Sequence, residues 1–122
     1  MRILVIDDDD QMRTLLRQVM EWAGYEVMEA GDGREGMHKH RKQPADLVIT
    51  DLIMPEQEGL ETITFLKKEY PAIKIIAISG GGRIGPEAYL PAAQELGADK
   101  VFSKPFDVRE LAEAVKELLC HG

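Results

Sequence analysis

Three short apolar runs constrain the fold of this chain more than any other feature. They are ILVI at 3–6, LVIT at 47–50 and IIAIS at 75–79. None of them alternates apolar with polar residues, as a half-exposed strand does. Unbroken runs of this length are typical of parallel strands that are covered on both faces. Two weaker candidates, YEVMEA from Tyr25 and KVFS from Lys100, bring the number of predicted strands to five.

Helical patterns separate these strands. The predicted helices cover 12–23, 33–42, 60–70, a segment ending near Leu96 with Pro91 in its first turn or at a kink, and 108–119. The repeated strand–helix order predicts an α/β fold, an open parallel sheet with helices on both faces. Right-handed crossovers then bring the carboxyl ends of all strands to one edge, where such sheets bind their ligands.

Composition excludes several kinds of protein. The length of 122 residues fits a single domain, 1–122, and the lone Cys120 allows no internal disulfide and favours a reducing, cytoplasmic setting. A net charge of −7 argues against direct binding of nucleic acid. No apolar stretch approaches the ~18 residues that a membrane span requires, and no signal peptide is evident.

Four consecutive aspartates, DDDD at 7–10, follow the first strand directly. Asp9 and Asp10 suit the start of the next helix, where acidic residues cap free N–H groups and favour the helix dipole. Asp7 and Asp8, in contrast, fall at the ligand-binding edge of the predicted sheet. The sequence therefore predicts two roles for the run, a helix cap and a binding site.

The other strand ends carry complementary groups. The third strand ends in Asp51, the fourth in Ser79 and the fifth in Ser103 and Lys104. A carboxylate can accept a phosphoryl group, a hard cation bound by carboxylate oxygens neutralises developing charge, and a lysine with a hydroxyl binds the remaining oxygens. Three clustered aspartates would raise one another's pKa without a metal, so a cation is part of the predicted site.

Four segments, ILVIDDDDQMR, DLVITDLIMPEQEG, AIS and GADKVFSKPF, resemble the receiver (response regulator) domain of two-component signalling. The resemblance covers the whole chain. It implies a flavodoxin-like (βα)5 fold with strand order 2-1-3-4-5 and Mg²⁺ as cofactor. It also implies a signalling domain, not an enzyme with its own substrate turnover. Its phosphodonor would be a sensor histidine kinase, a phosphotransfer protein or a small phosphodonor, and its effector is left open.

The resemblance also implies a role for each site residue. Asp51 would be the phosphoacceptor, and Ser79 and Lys104 would bind the phosphoryl group. The implied metal ligands are Asp8 directly, Asp7 largely through water, Asp51, and the backbone carbonyl of Ile53. The bond between Lys104 and Pro105 would be cis.

One departure from the family pattern concerns signal output. Val101 stands where receivers often carry an aromatic residue, and three glycines, 80–82, follow Ser79. We therefore expect phosphorylation to order residues 80–90 and to move the helix that starts near Pro91, changing the surface formed by that loop, that helix and the fifth strand.

Two other classes of protein use related folds. A haloacid dehalogenase-like phosphotransferase or phosphatase also has an aspartate nucleophile, but it requires a second aspartate where Ile53 stands. A flavodoxin-like flavin carrier requires a loop rich in Ser, Thr and Gly where this chain has DDDD.

Overall fold

Strands and helices alternate along the chain in a computed structural model that describes residues 1–52, 58–79 and 90–121. The strands are β1 (Arg2–Ile6), β2 (Glu26–Ala30), β3 (Leu47–Asp51), β4 (Lys74–Ser79) and β5 (Lys100–Ser103). The helices are α1 (Asp10–Trp22), α2 (Gly33–Lys42), α3 (Glu58–Glu69), α4 (Leu90–Leu96) and α5 (Val108–His121). Every predicted element is present, and α4 includes Pro91 in its first turn, as expected.

The strands form one parallel sheet in the order β2-β1-β3-β4-β5, which confirms the predicted topology. The register aligns the carboxyl ends: Ile6 lies opposite Ala30 and Thr50, and Ser79 lies opposite Ser103. The strand β3 is central, and its last residue, Asp51, pairs with Ile78 of β4. The residues that follow β1 and those that end β3, β4 and β5 therefore meet at one edge.

The sheet divides the hydrophobic core into two clusters. The cluster on one face packs α2, α3 and α4 against residues such as Leu4, Val48 and Ile75. The cluster on the other face packs α1 and α5 against residues such as Ile3 and Ile76. Neighbouring residues of one strand belong to different clusters, because successive side chains of a strand point to opposite faces. This two-sided burial explains why the runs at 3–6, 47–50 and 75–79, in β1, β3 and β4, do not alternate apolar with polar residues.

Apolar residues recur at helical spacing along α1, but the stripe that they form is only partly buried. Leu16 and Met20 are fully buried, but Leu15 is 40% exposed, because consecutive helical residues lie about 100° apart. Trp22, at the last position of the helix, is 94% exposed. Gly24, directly after the C-cap residue Ala23, has a φ of 99° that few other residues tolerate. No helix in the described part of the chain is long and apolar enough to cross a lipid bilayer.

His40 is a buried histidine at the opposite end of the molecule from the aligned carboxyl ends. Its Nδ1 accepts a hydrogen bond of 3.0 Å from the Ala45 N–H, and its ring meets the Tyr70 ring edge-on, with 4.4 Å between centroids. Burial lowers the pKa of His40. The imidazole therefore stays neutral near pH 7 and carries its proton on Nε2.

Candidate functional site

Three carboxylates meet at the carboxyl edge of the sheet. Asp7 and Asp8 follow β1, Asp51 ends β3, and one oxygen from each lies within 4.8 Å of the others. Asp7 and Asp51 are buried, whereas Asp8 is exposed. The predicted convergence of these three residues is thus present, and their oxygen atoms could hold a metal ion.

Lys104 is the cation of this cluster. Its Nζ lies 3.0 Å from Asp51 Oδ2 and 4.0 Å from Asp7 Oδ2. Lys104 comes directly after β5, and the bond that follows it, to Pro105, is cis as expected. The ammonium therefore reaches the end of β3 from the far side of β4.

Ser79 completes the predicted set. It ends β4 and is fully buried, and its Oγ has no hydrogen-bond partner among the described residues. Its backbone carbonyl accepts a 2.8 Å hydrogen bond from the Lys104 N–H. A buried hydroxyl without a partner is costly to folding, so it marks a position that suits an incoming polar group.

The pKa of Asp7 is raised by burial and by the neighbouring aspartates. The pKa reaches about 6, and the largest contribution is burial; the charges of Asp51 and Asp8 raise it less, and the charge of Lys104 lowers it. The hydrogen bond from the Asp9 N–H to Asp7 Oδ1, 2.9 Å long, opposes this rise. The predicted repulsion among the aspartates is present, but burial contributes more to the raised pKa of Asp7.

The second half of the aspartate run caps α1, as predicted. Asp9 is the N-cap, and its side chain accepts hydrogen bonds from the N–H groups of Gln11 and Met12. Asp10 opens the helix and forms an ion pair with Arg13. The Asp9 N–H also fixes the Asp7 carboxylate, so the cap and the carboxylate cluster form one continuous turn.

Arg13 is a site residue that the sequence interpretation missed. Its Nη1 donates a 2.7 Å hydrogen bond to the backbone carbonyl of Asp7. The only signal in the sequence was its position three residues after Asp10, which predicts an ion pair on one face of a helix. Its contact with the Asp7 backbone depends on the turn between β1 and α1, which periodicity does not describe.

Two predictions fall on residues outside the described part of the chain. These are the metal-ligating carbonyl of Ile53 and the phosphorylation-dependent ordering of residues 80–90, of which only Leu90 is described. Val101 is described, and it lies half-buried against the core cluster of α2, α3 and α4.

The assembled groups suit chemistry on a small anion. A buried carboxylate at Asp51, an ammonium in contact with it and an unpartnered hydroxyl on the next strand can surround a phosphoryl group. The two further carboxylates, Asp7 and Asp8, supply oxygen ligands for a hard cation beside that group.

Comparison with known proteins gives relatives that match nearly the whole chain. The chain is 36% identical over 118 residues to the chemotaxis protein CheY of Thermotoga maritima, covering 96% of each sequence. It is 33% identical to the alkaline phosphatase synthesis transcriptional regulatory protein PhoP of Bacillus subtilis, covering 97% of this chain but only 48% of PhoP. The chain thus spans nearly all of one relative and about half of the other.

A solved structure and a family model both match nearly the whole chain. A CheY-like response regulator receiver domain protein from Methanospirillum hungatei matches with a TM-score of 0.88 and 32% identity, covering 98% of this chain and 94% of that one. The family model described as the response regulator receiver domain matches residues 3–116. These matches favour a receiver over the haloacid dehalogenase-like and flavin-carrier alternatives. The chain belongs to the response regulator receiver domain family of two-component signalling.

Proposed function

We propose that Asp51 accepts a phosphoryl group from the phosphohistidine of a sensor histidine kinase or phosphotransfer protein, in a Mg²⁺-dependent reaction. The observation that carries the proposal is the position of the Asp51 carboxylate. It lies at the end of the central strand, 3.0 Å from the Lys104 ammonium and within 4.8 Å of the Asp7 and Asp8 oxygens. A small phosphodonor such as acetyl phosphate can replace the protein donor in the same reaction.

The donor set fits Mg²⁺. Asp7, Asp8 and Asp51 offer only oxygen atoms, which this hard cation prefers, and the ion usually keeps several water ligands besides one or two carboxylates. We assign a fourth ligand, the Ile53 carbonyl, from the family resemblance. When bound, Mg²⁺ supplies positive charge that neutralises the phosphoryl oxygens. Burial of Asp7 favours a bound cation further, because its ionised form is poorly solvated without one.

The transfer is a displacement at phosphorus. One oxygen of the Asp51 carboxylate forms the new O–P bond while the P–N bond of the phosphohistidine breaks. The bonding electron pair stays on the imidazole nitrogen, which takes up a proton from solvent. The product is an acyl phosphate on Asp51 and a neutral histidine on the donor.

Lys104 and Ser79 stabilise the transferred group. Lys104 already contacts Asp51 and needs only a small shift to pair with a phosphoryl oxygen, since charge-assisted hydrogen bonds of this type are strong. The Ser79 hydroxyl gains in the phosphorylated protein the hydrogen bond that it lacks in the described structure. This new bond is the differential contact that separates the two states.

The proposed output is a change in the surface formed by residues 80–90, α4 and β5. Val101 is too small to act as the rotating aromatic residue of many receivers, so movement of Ser79 carries the signal toward the glycines that follow it. Hydrogen exchange with and without beryllofluoride tests this proposal. Increased protection across 80–96 is the expected result, and a change confined to Val101 and α5 would contradict it.

We also propose the setting in which this domain works. It is a single domain, 1–122, that acts in the cytoplasm, does not bind nucleic acid itself and passes its state to an effector protein or domain. It catalyses its own phosphorylation and dephosphorylation but turns over no separate substrate.

Incubation with acetyl phosphate and Mg²⁺, followed by intact-protein mass spectrometry, tests the phosphoacceptor. The wild-type protein should gain one phosphoryl group, and Asp51→Asn should gain none. Asp9→Asn is the matched control, because it removes a neighbouring exposed charge while asparagine still caps α1. A phosphoryl group on the Asp51→Asn protein would refute the assignment.

A further inference from the structure

The Arg13 side chain ties three elements together beside the carboxylate cluster. Its Nη1 donates to the Asp7 carbonyl at 2.7 Å. Its Nη2 pairs with Asp10 in the first turn of α1, and its Nε lies 3.4 Å from Glu29 Oε1 on β2. The side chain is only 20% exposed. Its planar fork of donors suits three separate acceptors, which the single ammonium of a lysine could not bind together.

The bonded carbonyl lies at the joint between two metal-binding residues. The Asp7 carbonyl and the Asp8 N–H belong to one rigid peptide plane. Turning that plane about its neighbouring single bonds would redirect the Asp8 side chain relative to Asp7. Arg13 holds the carbonyl side of this plane, and the Asp9 N–H holds the Asp7 carboxylate itself at 2.9 Å. Together the two contacts fix the angle between the carboxylates.

A role for Arg13 through its charge alone would have the opposite effect on metal binding. A cation beside the cluster repels Mg²⁺, and its removal would take a positive charge away from Asp10 and Glu29, leave Glu29 paired with Arg17 alone among the described residues, and make the region more negative. Purely electrostatic reasoning therefore predicts tighter Mg²⁺ binding when Arg13 is neutralised. If Arg13 instead positions the carboxylates, its neutralisation should weaken Mg²⁺ binding. The direction of the change in Mg²⁺ affinity therefore distinguishes a positioning role from a purely electrostatic one.

We propose that Arg13 is a positioning residue for the Mg²⁺ site, which presents the carboxylates of Asp7 and Asp8 to the metal by fixing the peptide plane between them. This inference rests on the proposed function, because it assumes that these aspartates bind Mg²⁺. Residues that orient metal ligands from outside the coordination sphere typically change metal affinity about 10- to 100-fold when they are substituted. Glu29 supports the same arrangement from β2, since it holds the guanidinium in place.

The test is a titration of metal-free protein with Mg²⁺ alone, in which binding is measured by calorimetry or by NMR. We expect Arg13→Gln to raise the Kd for Mg²⁺ about tenfold. Arg13→Lys keeps one charged donor for the carbonyl and should lie between Arg13→Gln and the wild type. The matched control is Arg17→Gln. Arg17 also pairs with Glu29, at 3.1 Å, and with Glu21, at 3.1 Å, and its contacts in the described structure do not include Asp7.

The kinetics of phosphorylation by acetyl phosphate give a second readout. Arg13→Gln should raise the Mg²⁺ concentration for half-maximal rate, while the rate at saturating Mg²⁺ stays within about twofold of the wild type. This split would not arise from a general loss of folded protein, which lowers the maximal rate. A lower maximal rate with an unchanged Mg²⁺ requirement would contradict the positioning role.

Several results would overturn the inference. Tighter Mg²⁺ binding by Arg13→Gln would show that charge repulsion dominates, and equal losses in Arg13→Gln and Arg17→Gln would show a general effect of the ion-pair network. Unchanged affinity in both Arg13 variants, with normal binding by the wild type, would overturn this inference and leave the proposed function intact. A wild-type protein that binds no Mg²⁺ would overturn both.

Discussion

Replacement of Asp7 by asparagine should make the metal-free protein more stable. Asp7 is buried and its pKa is raised from 3.8 to about 6. The folded state therefore holds the proton more tightly than the unfolded state does, and ionisation opposes folding. The contribution of Asp7 to the free energy of unfolding is greatest below pH 3.8 and is lost as the pH rises through about 6. Asparagine is neutral, close in shape, and can still accept the hydrogen bond from the Asp9 N–H.

The size of the effect follows from the pKa shift. A rise of about 2 units corresponds to ~3 kcal/mol in the free energy of unfolding at pH 7.5, at ~1.4 kcal/mol per unit. The gain should shrink to about one third of this value at pH 4.5, where most of the folded wild-type protein is already protonated at Asp7. For a domain of this length, an entropy of unfolding of ~2.1 cal/mol/K per residue converts the full gain into a rise in Tm of roughly 10 °C.

Urea denaturation in EDTA at pH 7.5 and pH 4.5 measures the gain. Asp8→Asn is the matched control, since it removes an exposed carboxylate next to the same site and should stabilise the protein much less. Saturating Mg²⁺ should narrow or reverse the difference, because the ion stabilises the wild type more than a variant that has lost a ligand. An Asp7→Asn protein no more stable than the wild type, or only as stable as Asp8→Asn, would refute the reasoning.

Three further predictions concern other buried positions. The contribution of His40 to the free energy of unfolding should fall as the pH drops below 6.5, because the unfolded state protonates at His40 while burial keeps the folded imidazole neutral. Urea denaturation at pH 7.5 and 5 should therefore show that acidification is less unfavourable to His40→Gln than to the wild type. Gly59→Ala should lower the free energy of unfolding by about 2 kcal/mol or more in urea denaturation, because the added Cβ would lie 2.5 Å from the Asp51 carbonyl oxygen. Gly31→Ala is the matched control, since its Cβ would meet no atom closer than 3.7 Å. Ser79→Ala should leave the free energy of unfolding unchanged or raise it by about 1 kcal/mol, because the buried hydroxyl has no partner among the described residues. The same variant should be phosphorylated more slowly at Asp51, as measured by mass spectrometry.

The fold and the position of the site were predictable from the sequence because both depend on short-range patterns. The apolar runs at 3–6, 47–50 and 75–79 identify buried parallel strands, and parallel connections place all strand ends at one edge. The individual roles of the residues beyond that edge came from the resemblance to receivers. The predicted ligand Ile53 lies at 53–57, outside the residues that the structure describes.

What the sequence did not predict depends on contacts between elements that are distant along the chain. The raised pKa of Asp7 comes mainly from burial by surrounding elements, and the contact of Arg13 with Glu29 joins α1 to β2. Leu15 fits the apolar stripe of α1 but lies at its margin, so only the packing of the helix shows that it is 40% exposed. Periodicity predicts which face of a helix is apolar, but it does not predict how much of that face the neighbouring elements cover.

The division of the core by the sheet has a consequence for how such a domain can diversify. Residues in contact with α1 and α5 belong to one cluster, and those in contact with α2, α3 and α4 belong to the other. Substitutions in different clusters share few neighbours, so their effects on stability should be additive. Each helical layer can therefore change its outer surface, and with it a binding partner, without requiring compensating changes in the other layer.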